Sequence, residues 1–502
     1  MITRQRLALG WLLVVSALLG GLDTGGLRLT VSGLVRDQNG PVSRAIVRYQ
    51  GCEWYVQTDR FGRFELPASE PRRRVTAWKA GYYIVGQQPG LSPVTLALRP
   101  LPAEDFEDYR WIEPGPDPQS PDNCANCHAE IYREWQNSSH SDTLANKRFM
   151  NLYEGRDWHG HRDPSWSLLD EYADGSAVCS SCHAPTARGD DIYDLRKAKG
   201  VDRRGVHCDF CHKVADVDER RIGLTHGRFG LKLLRPREGQ VTFGPLDDVD
   251  RGQDTFSPVY RESRYCASCH EGIVFGIHVY STYSEWLESP ARREGKECQA
   301  CHMTPTGRLR NLAPAHGGID RNAWTLASHT FPGSQPAMLR GCIDLSADLI
   351  RSDRGTECNV AISVHDVGHR VPTGFVDRHL LLVVEAFATD GTPQPLQDGP
   401  VLGEEAANLQ GKPGLLFAKL LQDFDGNKPV PFWLARPEVI DSRLKPDEQH
   451  TSSYVFSPDT DKVRIRLIYR RFWDRVARQK SWPENEFVIA EKWLSCRPKT
   501  AP

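Results

Sequence analysis

Ten of the chain's fourteen cysteines fall in five copies of one pattern. They are CANCH (Cys124, Cys127, His128), CSSCH (Cys179, Cys182, His183), CDFCH (Cys208, Cys211, His212), CASCH (Cys266, Cys269, His270) and CQACH (Cys298, Cys301, His302). C-x-x-C-H is the attachment pattern of a c-type haem. The two thiols add to the two vinyl groups of the porphyrin, the spacer holds them at the vinyl separation, and the adjoining histidine reaches the iron from the proximal side. Zinc ribbons also use C-x-x-C pairs, but tetrahedral zinc does not require a histidine directly after every second cysteine. The motifs therefore predict five covalently bound haem c groups, with His128, His183, His212, His270 and His302 as proximal iron ligands. The other four cysteines, Cys52, Cys342, Cys358 and Cys496, allow three complete pairings, and their spacing does not choose among them.

Covalent haem attachment takes place outside the cytoplasm, and the chain opens accordingly. MITRQRLALGWLLVVSALLGGL has basic starters and then an apolar run from Leu7 to Leu19, the layout of an export signal. That run is short for a membrane span, which needs roughly 20 apolar residues. No clean A-x-A cleavage site follows, so the segment is read as either a cleaved signal or an N-terminal anchor that tethers the protein to the membrane. The expected location is the periplasm or the extracytoplasmic face of the membrane.

Around the motifs the composition changes twice. Residues 27–101 carry short β-rich runs separated by turn signals such as Asn39-Gly40-Pro41, the pattern of a small β-sandwich. Residues 102–121, rich in proline and acid, read as a linker. Residues 122–338 hold the five motifs at intervals of 55, 29, 58 and 32 residues, long and short alternating. An internal repeat accompanies them: YREWQNS (Tyr132 to Ser138) and YSEWLES (Tyr283 to Ser289) share Y-x-E-W-x-x-S. The first copy continues to His140 and the second has Ala291 at the equivalent place. Trp135 and Trp286 are expected to pack on porphyrin faces. Residues 339–502 return to β-branched and apolar alternation, as in CNVAISVHDV and HLLLVVEAFATDG, and predict a second, larger β-sandwich. The expected fold class is multidomain: a small β-sandwich, a haem-cored and mostly α or irregular multihaem domain, then a C-terminal β-sandwich.

Two stretches resemble known families. VSGLVRD with TDRFGRFELP and VTAWKAGY resembles the carboxypeptidase regulatory-like domain, which implies a transthyretin-like sandwich without a catalytic role. The first four motifs with their spacing, EWQNSSH after motif one and GVHCDFCH at motif three are similar to the cytochrome c-552/4 multihaem family. The fifth motif, with SHTFPG after it, is similar to longer multihaem relatives. The resemblance implies electron transfer between closely stacked haems, and in some members one five-coordinate iron. It also implies that His140, His226 and His329 are distal ligands; the missing histidine at Ala291 is a departure that puts a full ligand set in doubt.

Bis-histidine ligation of five irons needs five histidines beyond the motifs, and the seventeen in the chain leave twelve. The four methionines offer no substitute, because Met303 directly follows a proximal histidine. His278, in GIHVYSTYSEW, joins the candidates. His207, before Cys208, is read as either a ligand of a neighbouring haem or an outer support. His159, His161 and His450 read as surface residues. In HDVGHRVPTG, Val360, Ile362 and Val364 share one strand face and His365 lies on the other, while Gly368 ends the strand. Pro372 to Gly374 suit a type I turn. His369 is thereby set on a stiffened loop, from which it either ligates a haem iron across the domain boundary or contacts a propionate.

The formal charge of −2 and pI near 6.8 give no electrostatic reason to expect nucleic acid as a partner. The favoured function is an electron carrier between redox partner proteins, some of them membrane-bound. The alternative is a multihaem oxidoreductase with one open-site haem acting on a small nitrogen or oxygen compound. No C-x-x-C-K attachment motif occurs.

Overall fold

A computed structural model describes residues 30–67, 73–90, 93–175, 177–333 and 335–496. The expected export segment, residues 1–26, lies outside the described residues. No helix among them is long and apolar enough to cross a membrane.

The chain divides into two units, residues 1–101 with 247–252, and residues 102–246 with 253–502. In the first unit, alternation decides which side chains are buried: in strand Arg63–Pro67 only Phe64 and Leu66 point inward. Two four-stranded sheets form. In one, strand Thr30–Asp37 pairs with Gly40–Pro41, Arg63–Pro67 and, in parallel, Val94–Ala97. The other runs Val56–Gln57, Ile46–Tyr49, Val75–Trp78, Val85–Gln87. Val35, Leu66 and Leu96 from the first sheet and Val47, Tyr49 and Val75 from the second share one core.

The second unit contains all five motifs and the C-terminal β region. Each motif lies on a short helix: Cys124–Cys127, Ala177–His183, Cys208–Cys211, Arg264–His270 and Cys298–His302. The two copies of the repeat are also helical, Ala129–Gln136 and Thr282–Glu288. The stretch expected as a linker is packed instead. Tyr109 and Trp111 bury against Phe210 of motif three, and Asp209 accepts from the Tyr109 hydroxyl at 3.0 Å and the Ile112 amide at 2.9 Å. Large aromatic side chains made that stretch a wrap around the motif-three helix, despite its prolines.

C-terminal to the motifs, a four-stranded sheet (Ile343–Ser352, Gly355–Val364, Gln449–Phe456, Leu396–Asp398) and a six-stranded sheet share a second core. Val360, Ile362 and Val364 enter that core, as their alternation predicts. Strand His379–Phe387 of the larger sheet is apolar on both faces. Leu380, Leu382 and Val384 fill the core between the sheets, whereas Leu381 and Val383 lie in a separate cluster with Leu402 and Ile468. Two apolar clusters join this region to the motif-bearing segment. Leu152, Tyr153 and Ala184 pack with Phe472, Trp473 and Val476, and Ile277 and Val279 pack with Val376 and Leu421.

Candidate functional site

A helix puts residues i, i+3 and i+4 on one face, so each motif presents two thiols and one imidazole together. In motifs one to four spacer residues turn the other way: Ala125, Ser180, Ser181, Phe210, Ala267 and Ser268 are buried, whereas nine of the motif cysteines are only partly so and no residue of the motif-five helix is buried. The tenth, Cys301 of motif five, is exposed.

Four motif imidazoles are oriented by a carbonyl. Nδ1 of His128 meets Leu312 O at 2.8 Å, His183 meets Thr143 O at 3.1 Å, His212 meets Phe243 O at 2.6 Å and His302 meets Pro332 O at 2.6 Å. Committing Nδ1–H to a carbonyl leaves the Nε2 lone pair free, which is how ligating histidines are held. His369 is held alike, Nδ1 against Arg370 O at 3.0 Å.

Two motif histidines face a second imidazole, while His183 stacks on Phe149 at 3.8 Å and His212 on Tyr260 at 5.7 Å. His140 lies opposite His270 with ring centroids 6.2 Å apart, and His369 opposite His302 at 6.3 Å. An iron about 2 Å from each nitrogen, with about 1 Å more from nitrogen to ring centre on either side, sets trans imidazoles about 6 Å apart. Separation alone is not enough: His159 and His161 are also 6.2 Å apart, but on an exposed turn organised by Asp157. His329 lies within electrostatic reach of His212 and, less strongly, of His128. Burial keeps these rings neutral, lowering His140 to about 3, His270 and His329 to about 4, and His369 below its ordinary value. A neutral imidazole is the form that binds iron.

The remaining candidates have other surroundings. His226 stands between motifs two and four: the next residue, Gly227, packs on the Ser181 carbonyl, and the His226 ring lies against Gly272. His278, expected as a ligand, is instead partly exposed with Nε2 paired to Glu271. A carboxylate seven residues back along the hairpin captured it. His207 caps the motif-three helix, Nδ1 accepting from the Phe210 amide at 3.4 Å, and is fully buried. His365 ends just beyond its strand, beside Asp344 and Asp366. The peptide before Pro372 is cis, and Gly374 has φ +85°.

Hydrogen bonds join some motifs, and the electrostatics of the free thiols couple others. The Cys208 thiol is pushed well up by the Cys124 thiol beside it, Cys269 by Cys182, and Cys266 by Cys298. Cys211 adds a smaller push to both Cys266 and Cys269. Tyr265, on the motif-four helix, donates to Cys211 O at 3.0 Å, and Cys298 N donates to Ser263 Oγ at 2.8 Å. Motif one thus adjoins three, three adjoins four, and four adjoins both two and five. Among the described residues no three His, Cys, Asp or Glu side chains converge as a bare metal ion requires. The donors fit a group that takes two thiols and one imidazole from each motif.

Sequence reasoning passed over Glu134 and Glu285. Glu134 accepts from the His329 amide at 2.7 Å and the Ser328 hydroxyl at 3.2 Å. Glu285, buried, accepts from the Arg370 amide at 3.1 Å, the Thr373 hydroxyl at 2.9 Å and Arg443 at 2.6 Å. Both are the Glu of Y-x-E-W, a signal visible in the chain but read only for its tryptophans. Each of those indoles donates to a carbonyl, Val206 O at 2.8 Å and Lys296 O at 2.9 Å.

Residues 123–213 match the family model of cytochrome c554 and c-prime. A solved structure, a penta-heme cytochrome c552 from Thermochromatium tepidum, is similar in fold, with TM-score 0.55 and 22% identity. The likeness covers 74% of this chain and 97% of that one. No curated protein matches. The family match covers motifs one to three, and the structural likeness is one of fold.

Proposed function

We propose that the chain is an exported pentahaem c-type cytochrome that carries electrons between redox partner proteins. The observation that carries this reading is that five C-x-x-C-H helices lie in one unit, with motif three tied to four through Tyr265 and four to five through Ser263. Haem c supplies one-electron iron chemistry when bound. The residues of this chain do the rest. The ten motif cysteines anchor the group, the motif histidines approach iron from one side, and the carbonyl partners fix their rings. His140, which faces His270, and His369, which faces His302, would serve as second ligands there, His329 would serve motif three, and His226 would serve the junction of motifs two and four. His278 drops from that set, its Nε2 being engaged by Glu271. The first unit, read as a carboxypeptidase regulatory-like sandwich, and the C-terminal sheets dock the carrier to its partners. The N-terminal segment directs export and is either removed or kept as a membrane tether.

A pyridine haemochrome assay on the purified protein should return five haems per chain, and fewer would refute the attachment assignment. The four histidines named leave one iron for a further ligand. His207 is the candidate, fully buried with Nε2 unpartnered among the described residues. With it, the oxidised protein's EPR spectrum should show only low-spin ferric signals. A stoichiometric high-spin signal would instead support the oxidoreductase reading, in which one iron stays open to a small nitrogen or oxygen compound.

A further inference from the structure

The two Y-x-E-W-x-x-S helices repeat one set of contacts residue for residue. Trp135 donates to Val206 O, two residues before Cys208 of motif three; Trp286 donates to Lys296 O, two residues before Cys298 of motif five. Glu134 holds the backbone at His329, and Glu285 holds the backbone directly after His369. Ser138 and Ser289 each close their helix by donating to the tryptophan carbonyl, at 2.7 and 2.8 Å. The histidines repeat as well: His369 faces His302 with ring centroids 6.3 Å apart, and the first helix holds both the His329 backbone and the chain entering motif three.

We propose that each repeat helix is a two-handed clamp that sets both axial ligands of a single haem. The first clamp serves motif three, His212 with His329, and the second serves motif five, His302 with His369. In each, the indole fixes the chain entering the attachment motif and the carboxylate fixes the loop bearing the opposite histidine. Glu134 and Glu285 are therefore positioning residues. This rests on the haem reading of the motifs and extends it to a division of labour that neither the motifs nor the repeat state.

The second clamp explains Ala291. A Cβ built on Gly368 would meet Ala291 Cβ and Trp286 Cδ1, each at 3.2 Å, so the loop carrying His369 runs over the place where the first copy continues to His140. One histidine is exchanged for another brought from the C-terminal region.

The test uses the full-length holoprotein, with haem content and circular dichroism as controls for folding. His369→Ala and His329→Ala each identify one haem by turning it from low-spin to high-spin. Glu285→Gln, which keeps the shape but weakens acceptance, should give partial high-spin character and a shifted midpoint potential on the haem that His369→Ala identifies. Glu134→Gln should do so on the His329 haem, and the double Gln variant should show both effects independently. Thr373→Val removes one contact to Glu285 without altering the carboxylate and should perturb the same haem more weakly. If His369→Ala converts a haem while Glu285→Gln and Thr373→Val leave every potential unchanged, the clamp is refuted and the ligand reading stands. The clamp is equally refuted if both Gln variants perturb one and the same haem. If His369→Ala and His329→Ala leave all haems low-spin, the ligand reading falls and the clamp with it.

Discussion

A histidine ligates only as the neutral ring, so its protonation in the folded chain decides whether a site is ready for iron. Burial first, and then the charges of neighbouring histidines, hold His140 and His270 far below neutrality, with Arg378 adding to the effect on His270. Replacing His140 by Ala should turn one haem high-spin at both pH 5 and pH 8; a low-spin spectrum throughout would remove His140 from the ligand set. Asp377 is the converse case. It is buried, its Oδ1 accepts from Trp473 Nε1 at 2.8 Å, and Oδ2 has no hydrogen-bond partner among the described residues. Burial pushes it up to about 8, against the pull of the Trp473 bond. Between about pH 4 and 8 the folded chain therefore holds a proton that the unfolded chain has released. Stability must fall as pH rises through that window, the reverse of an ion-paired carboxylate. Asp377→Asn keeps an acceptor for Trp473 and should flatten the slope, gaining on the order of a few kcal/mol at pH 7. Thermal midpoints of both proteins at pH 5 and 8 decide it, and parallel pH dependences would contradict the assignment. Residue identity was legible wherever covalent chemistry ties partners together in sequence, as in the five motifs. It was not legible for His278, because Glu271 reaches it only once the hairpin Glu271–Val274 to Ile277–Ser281 has closed.

At the scale of elements, a repeated helix can hold different things in its two copies only if the surroundings differ in shape. The first copy is followed by His140, which crosses to motif four, and the second by Ala291, over which Gly368 packs. Ala291→His should not restore a ligand. With neighbours at 3.2 Å from a Cβ on Gly368, an imidazole must push the loop outward, and overpacking of this kind typically costs about 1–3 kcal/mol. The expected result is loss of low-spin character on the haem that His369 serves, read by EPR; an unchanged spectrum would show that the loop has room to spare. The elements themselves were readable from periodicity: the alternating strands of both β regions and the helical repeats lie where their patterns put them. Their tertiary use was not. The proline-rich stretch around Tyr109 has a linker's composition, and only the buried face of Phe210 shows why it is a wrap. Glu134 and Glu285 look like solvated helix residues until loops some 190 and 85 positions away arrive to donate to them.

For the whole molecule, the pattern of contacts between motifs matters more than their number. Motif four adjoins three others, reaching three through Tyr265 and Cys211, two through Cys269 and Cys182, and five through Cys266 and Cys298. Motif one is coupled to three, and motif five, whose Cys301 is exposed, sits at an end that a partner can approach. Removing an end shortens such a network, while removing its branch point divides it. The double variant Cys266→Ala with Cys269→Ala, which abolishes attachment at motif four, should leave motifs two and five cut off from one another and from the pair formed by one and three. Reduction by a limiting electron donor, followed by stopped-flow absorbance, should then split into separate phases, with a slow phase that the wild-type protein lacks. The matching variant at motif one, Cys124→Ala with Cys127→Ala, should lose one haem's amplitude and keep the single fast phase. Ligand loss does not confuse the comparison, since on the proposed assignment His140 serves motif four itself and His369 and His329 serve motifs five and three. Equal kinetics in the two variants would mean that electrons bypass motif four, and the branched path read from the couplings between motifs would have to be redrawn.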